Sequence, residues 1–368
     1  MSIVTKLYRG ETRIDFIGSR NRWYLASAVL LLICLFSFIF RGFNYGVEFK
    51  GGTQFQITAS GVSFGVSDVD KAFTSAGTAP AEPPQIVGSG ATRQIVVKTA
   101  EMTPTEQKTL ETKVAKDLGI SATKSISADA VSSSWGHNIT VKAIQGLIIF
   151  IIAVSIYISL RFQWRMAVGG ILALIHDLII AGGVYSIVGF EVTPSTVVGL
   201  LTILGFSLYD TVVVYDKVAE NSKDILAGSR ITFSEAANTA VNQTLMRSIN
   251  TSLIALLPVA GLLFVGAGVL GVGTIKDLAL ILFVGLASGA YSSLFLATPI
   301  VVDLTERDPQ YKALTKRVAA KKASEAKRAS DAQLAGATAG VGATAARRAS
   351  GPAPAPRVGA RPERRRRK

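Results

Sequence analysis

The run PSTVVGLLTILGFSLYDTVVV, residues 194–214, is apolar along its length apart from small polar side chains, a tyrosine and one carboxylate, Asp210. Its length and hydropathy read as a membrane-spanning helix. An acid inside such a span is expensive, which makes it a functional candidate. Five further runs of this kind surround it: Trp23–Phe40, Ile144–Leu160, Met166–Gly189, Ile249–Gly273 and Leu278–Val302. The first is about 27 Å long as a helix, just enough to cross the hydrocarbon core. It ends at Arg41-Gly42-Phe43 with no small-residue cleavage site, so it reads as a retained anchor rather than a signal peptide. Six spans are expected.

Composition agrees. Of 368 residues 49% are hydrophobic and 17% charged, with a mean hydropathy of +0.39. Soluble domains carry roughly a quarter charged residues, so one soluble globular domain is excluded. The formal charge of +14 lies almost wholly in residues 304–368, which hold 17 of the 39 Lys and Arg but 5 of the 25 Asp and Glu. The single Cys34 cannot form an intramolecular disulfide, and the two histidines, His137 and His176, are far apart. No zinc-type cluster follows from that pattern, and no metal or cofactor is expected. P-loop, G-x-S-x-G and H-E-x-x-H patterns are absent, which argues against ATP hydrolysis, covalent catalysis and an enzyme.

Basic residues set the orientation. Lys6, Arg9, Arg13, Arg20 and Arg22 precede the first span; Arg161 and Arg165 link the second and third; Lys217, Lys223, Arg230 and Arg247 fall between the fourth and fifth; the basic tail follows the sixth. All lie on one side if there are six spans, which places both termini (residues 1–22 and 303–368) in the cytoplasm. Residues 42–140 then face the other side, between a first span at 23–41 and the remaining five within 141–302.

That translocated segment, with 8 basic and 9 acidic residues, is too long for a simple loop. It reads as strand (Thr53–Thr58), helix to about Ala76 with Ser67 and Asp70 as a capping box, short strands at Gln85–Val87 and Gln94–Val97, a helix opened by Thr103-Pro104-Thr105-Glu106 and closed at Gly119, and a last strand near Lys124–Ser127. This is the order of a ferredoxin-like α+β domain. After the sixth span Ala, Arg, Lys, Gly and Pro dominate, including Pro352, Pro354, Pro356 and Arg364–Lys368. Such a composition is expected to be disordered and attracted to anionic lipid headgroups.

Three ionisable residues in or beside the spans stand out. Asp177 follows His176 near the middle of the third span. A group in a proton relay and a buried polar pair joining helices are equally good readings of it. Asp210 has Ser207 and Thr211 within hydrogen-bonding range along the helix, and the valines beyond it argue against a solvated rim position. Arg247 heads a polar stripe with Asn250 and Thr251 at i+3 and i+4; on charge alone it is ordinary positive-inside flanking, but the inward stripe favours an ion pair with Asp210. Gly285, Gly289 and Ser293 repeat every four residues in the sixth span as a close-packing face, suited equally to internal packing and to a partner.

Together, several segments resemble the SecD/SecF family of protein-export membrane proteins, within the RND superfamily. They are Asp15-Phe16-Ile17-Gly18-Ser19-Arg20; Tyr45-Gly46-Val47-Glu48-Phe49-Lys50-Gly51-Gly52-Thr53, with Glu48 where the family usually has Asp; His176-Asp177; Asp210–Asn221; Gln243–Ser252; and Ile275-Lys276-Asp277 with Tyr291-Ser292-Ser293. Tyr209 stands where the family usually has Asn. The resemblance covers about residues 5–305 and leaves the tail out.

It implies a six-span half-transporter with one extracytoplasmic domain, in the bacterial plasma membrane, paired with SecD about an axis along the membrane normal. It also implies that Asp210 is the proton-linked carboxylate and Arg247 its switchable partner, with Asp177 a weaker candidate; and that Glu48, Gly51 and Gly52 form the motif after the first span. The implied activity is proton-motive-force-driven completion of preprotein translocation after the SecA stage, with SecYEG, SecA, YajC and the preprotein as partners. A purely structural scaffold for the channel and an RND-type transporter of small or lipidic solutes are the alternatives.

Overall fold

Three of the membrane-length helices begin at a residue whose side chain caps them: Ser132, Thr193 and Thr232. The computed structural model describes residues 14–62, 64–88, 90, 93–228, 230–269 and 273–349; Lys6, Arg9, Arg13 and the segment from 350 to 368 lie outside them. The first span is α1 (Arg20–Phe40). A two-residue strand β1 (Asn44–Tyr45) and one helical turn, Val47–Lys50, lead into the inserted domain.

The domain runs β2 (Gly52–Thr58), α2 (Val66–Ser75), β3 (Gln85–Val87), β4 (Gln94–Thr99), α3 (Pro104–Leu118), a turn of helix at Ala122–Ser125, and β5 (Ile126–Val131). Its sheet is antiparallel throughout in the order β3-β4-β2-β5, with Phe55 opposite Val97 on one side and Ala128 on the other. The expected strand and helix order is therefore present as the split βαβ arrangement. Alternate residues Phe55, Ile57, Ile95 and Val97 turn to one face and bury against Val69, Phe73, Leu110 and Val114 of α2 and α3. Thr103 and Glu106 cap α3 reciprocally, and Gly119 closes it in the left-handed conformation at φ +67°.

Two local expectations shift. The N-cap of α2 is Gly65, whose N–H donates to Asp68 at 2.8 Å, not Ser67 with Asp70. The last strand starts at Ile126, because residues 122–125 are drawn into a helical turn closed by Ser125 N–H on Ser121 O.

The remaining spans are α4 (Ser133–Arg161), α5 (Trp164–Val188), α6 (Pro194–Asn221), α7 (Phe233–Gly261) and α8 (Gly273–Ser292). The last continues through a π-helical turn, Ser293–Ala297, into α9 (Thr298–Glu306). Among the described residues six helical segments are long and apolar enough to cross a membrane. α4 starts at Ser133, so the tail end of the 42–140 segment belongs to a span helix. Ser132 accepts from Trp135 N–H there at 3.3 Å, and a capped helix runs on through polar residues. Thr193 and Thr232 cap α6 and α7 in the same way.

Between α5 and α6 the two-residue strand β6 (Glu191–Val192) pairs in parallel with β1, Asn44 opposite Glu191. α5 is well enclosed, lined by Gly169, Ala173, Leu174 and Ala181 against its neighbours. The tail departs from expectation. Residues 309–349 form one long helix, α10 (Pro309–Ala349), because Ala, Lys, Arg and Glu are the strongest helix formers. Leu314 and Val318 root it against Ile225 and Ala236, and Arg165 bonds Asp308 at 2.5 Å just before it.

Candidate functional site

Asp210 and Asp177 are both buried, 3% and 1% exposed, on neighbouring helices. Asp210 sits on α6; one of its oxygens accepts from Ser248 Oγ of α7 at 2.7 Å and the other from Ser293 Oγ of the π-helical turn at 2.6 Å. Asp177, on α5, collects more. Its Oδ2 accepts from Ser207 Oγ of α6 at 2.6 Å and from Ser292 Oγ of α8 at 2.7 Å, and its Oδ1 from Ser288 Oγ at 2.7 Å. His176 Nδ1 stands 3.2 Å from Oδ1, while its Nε2 is buried without a hydrogen-bond partner.

Two features tie the carboxylates together. Ser207 and Asp210 are three residues apart on α6, so the level at which Asp177 docks is about 4.5 Å along that helix from Asp210. Ser292 and Ser293 are consecutive yet serve different acids on different helices. They sit where α8 gives way to the π-helical turn, and such insertions frequently mark functional sites.

The chemistry of this arrangement follows from its hydroxyls. A carboxylate at the centre of a span costs about 2.5–3.5 kcal/mol on insertion scales, and hydrogen bonds to charged groups return about 1.5–3 kcal/mol each. A serine hydroxyl donates to a carboxylate but also accepts from a carboxylic acid by rotating its proton. A site built of serines thus tolerates both protonation states of its acid, which an arginine partner does not. Among the described residues no cation lies in ion-pair contact with Asp210, and only His176 approaches Asp177. No group of three or more His, Cys, Asp and Glu side chains comes together there either.

The expected Arg247–Asp210 pair is absent. Arg247 is exposed and donates to Tyr209 Oη at 3.1 Å, because successive helix residues point about 100° apart and it is Ser248 that faces inward. Tyr209, itself 52% exposed, occupies the arginine in place of the acid. Asn250 is exposed on the same face, and Thr251 Oγ donates to the Arg247 carbonyl at 2.8 Å. Thr211 supports α6 from within by donating to the Ser207 carbonyl at 3.0 Å. Ser207 itself belongs to Asp177, not to Asp210.

The glycine stripe of the sixth span faces inward. A Cβ on Gly285 collides with Ile203, and one on Gly289 comes 2.9 Å from Ser207 Cβ. These residues bring α8 against α6 closely enough for Ser288, Ser292 and Ser293 to reach the acids. Internal packing is the reading that holds.

The motif after the first span fixes the root of the inserted domain. Gly51 and Gly52 have φ +76° and +135°, and a Cβ on Gly51 comes 2.6 Å from Ser133 Cα. A Cβ on Gly136 of α4 would come as close to Phe49, 2.7 Å from its carbonyl oxygen. Glu48 Oε2 is buried there without a partner. Glu101, leaving the domain sheet, accepts from Ser133 N–H at 3.1 Å and Oγ at 2.6 Å. Those bonds hold its carboxyl below the usual range and cap the positive end of α4.

Sequence reasoning missed Ser248, Ser288 and Ser292 as acid partners. Their signal is the i, i+4 spacing of Ser288 and Ser292 on one helix face, which serine's commonness hides. It also missed Asn238 and Asn242, which bond the backbone of Ile14, Phe16 and Ile17 at 2.8–3.3 Å and dock the Asp15–Arg20 motif against α7.

Among the described residues six membrane-length helices, four of them closing on two serine-bound carboxylates, define a polytopic membrane protein. The family profile described as protein export membrane protein SecD/SecF, C-terminal, matches residues 111–307, and the SecD/SecF GG motif matches residues 36–61. The chain belongs to the SecD/SecF family. It is 48% identical over 318 residues to protein translocase subunit SecF of Streptomyces coelicolor, covering 86% of this chain and 84% of that one. It is 42% identical over 329 residues to the SecF subunit of Mycobacterium tuberculosis H37Rv, covering 88% and 74%. The crystal structure of SecDF from Thermus thermophilus superposes with a TM-score of 0.70 at 29% identity, covering 81% of this chain and 39% of that longer one.

Proposed function

We propose that the chain works with SecD as a proton-driven accessory of the Sec translocase, using the proton motive force to complete preprotein translocation after the SecA-driven stage. One observation carries this: Asp210 and Asp177 are buried in the span bundle with hydroxyl partners that accommodate either protonation state. Asp210 is the proton-linked group. Arg247 is its partner in a second arrangement, since a turn of α7 by one residue, about 100°, exchanges Ser248 for Arg247. Asp177 is the second acid of the relay. Each elementary charge moved adds about 2.3 kcal/mol per 100 mV.

The exposed stripe of Tyr209, Arg247 and Asn250 is ill suited to lipid and fits a covering half, SecD, which the longer SecDF relatives carry in the same chain. On this reading residues 42–140 face away from the cytoplasm and hold the preprotein. Both termini are cytoplasmic in the bacterial plasma membrane, the channel SecYEG with SecA and YajC stands alongside, and the basic tail meets anionic headgroups. Among the described residues, one cavity between the spans, bordered by Phe150, Leu174, Leu178 and Leu204, measures about 20 Å³, room for one water at most and too small for a solute.

The test is a pulse-chase of precursor processing in cells whose only copy carries Asp210→Asn, with membrane level and SecD co-purification measured alongside. Precursor accumulation with normal assembly is expected. Normal processing would make the buried acids architectural and leave the scaffold reading.

A further inference from the structure

Of the four helices that hold the acid–serine network, α5 to α8, three, α5, α6 and α8, meet again at their far ends, and the inserted domain places a lysine there. Lys98 is on β4, alternating with Val97 and so turned away from the domain core. It is only 7% exposed. Its Nζ lies 2.5 Å from Glu191 Oε1 and 3.4 Å from Glu82 Oε2, and Glu82 also takes Lys50 at 3.2 Å.

Glu191 belongs to β6, the joint between α5 and α6, and β6 is clamped to β1 by the Asn44–Glu191 and Tyr45–Val192 pairing and by Gly46 N–H on Val192 O at 2.9 Å. The start of α8 closes the same knot. Tyr185 Oη of α5 donates to the Asp277 carbonyl, Lys276 Nζ stands 3.9 Å from the Phe190 ring centroid, and the Asp277 carboxyl lies within the fields of Glu191 and Lys98. A displacement of α5, α6 or α8 at the acids is carried along rigid helices to this one place. Covalently the domain is joined to the bundle only at the connections to α1 and α4, neither of which contributes to the network.

We propose that Lys98 is the coupling contact of the molecule: a domain cation seated on the α5–α6 joint through which movement at Asp177 and Asp210 reaches the preprotein-holding domain. The proposal rests on the proton-driven reading above. Lys98 is a positioning residue, acting through Glu191 on helices it does not touch at the acids.

The test uses the full chain with SecD in cells, and compares precursor processing with the proton gradient intact and collapsed. Lys98→Met is expected to keep membrane level and SecD co-purification but to lose the gradient-dependent acceleration by about 5-fold or more, the range of ordinary coupling free energies. Lys98→Arg keeps it, and the charge exchange Lys98→Glu with Glu191→Lys restores it. A full gradient response in Lys98→Met, or no restoration by the exchange, overturns the proposal.

If Lys98→Met fails to assemble, the unaltered complex in liposomes decides. Amide exchange at Asn44, Tyr45, Glu191 and Val192 is expected to differ between the two gradient states, and identical exchange overturns the proposal. Asp210→Asn run in parallel separates the two ideas. If it loses the gradient response while Lys98→Met keeps it, coupling through Lys98 falls alone; if Asp210→Asn keeps the response, the proton site falls.

Discussion

The pair Ser292-Ser293 shows how much one residue decides in this protein. Ser293 supplies one of two hydroxyls on Asp210, and Ser292 one of three on Asp177. Removing a hydroxyl from a buried acid leaves an oxygen unsatisfied at a cost of about 1–3 kcal/mol, and the penalty is steeper where fewer partners remain. Ser293→Ala is therefore expected to lower the thermal midpoint of the detergent-solubilised complex more than Ser292→Ala does. A double-mutant cycle of Ser293→Ala with Asp210→Asn should show a coupling of about 1–2 kcal/mol; a coupling near zero would show that the serine does not serve the acid. The two acids are legible in the sequence because charge inside a span is rare. Their serine partners are not, since a serine gains meaning only from the helix it faces. Nor is the direction of Arg247, which depends on the rotation of α7 and on a tyrosine arriving from α6.

Elements are read with similar unevenness. The six apolar runs map onto six membrane-length helices because hydropathy is a property of the segment itself, but α4 begins eleven residues before its apolar run and α7 sixteen before its own. Polar residues such as His137, Asn138 and Lys142 leave no trace in hydropathy, although a capped helix accommodates them. Glycine spacing in the sixth span signals a close approach without saying to what. The contact with Ile203 answers that and makes a prediction. Gly285→Val drives a branched side chain into Ile203, and overpacking of this kind costs about 1–3 kcal/mol. Its expected result is reduced membrane level and loss of SecD co-purification, with Gly285→Val combined with Ile203→Ala recovering both. Failure to recover would place the damage outside the α6–α8 seam.

At the scale of the whole molecule, the domain and the bundle are held together by carboxylates whose charge matters. Burial alone would raise the Glu82 carboxyl, but Lys98 and the Lys50 hydrogen bond outweigh it and hold it below the usual range; Glu101 is lowered by Ser133. Groups held low contribute stability that is in full force above the ordinary carboxylate value, about 4, and is lost as pH falls through their lowered values. On acidification from pH 7 towards pH 3 the thermal midpoint of the unaltered protein should fall more steeply than that of the Glu82→Gln, Glu101→Gln double variant; parallel curves would remove these groups from the junction. The close meeting of Gly51 with Ser133 and of Gly136 with Phe49 has one more consequence. The domain leaves and rejoins the bundle at a single doorway, so both seams of the inserted stretch lie side by side. Recombination between relatives can then exchange the whole stretch as a cassette without re-threading any span, and the inserted module is free to diversify on an unchanged bundle.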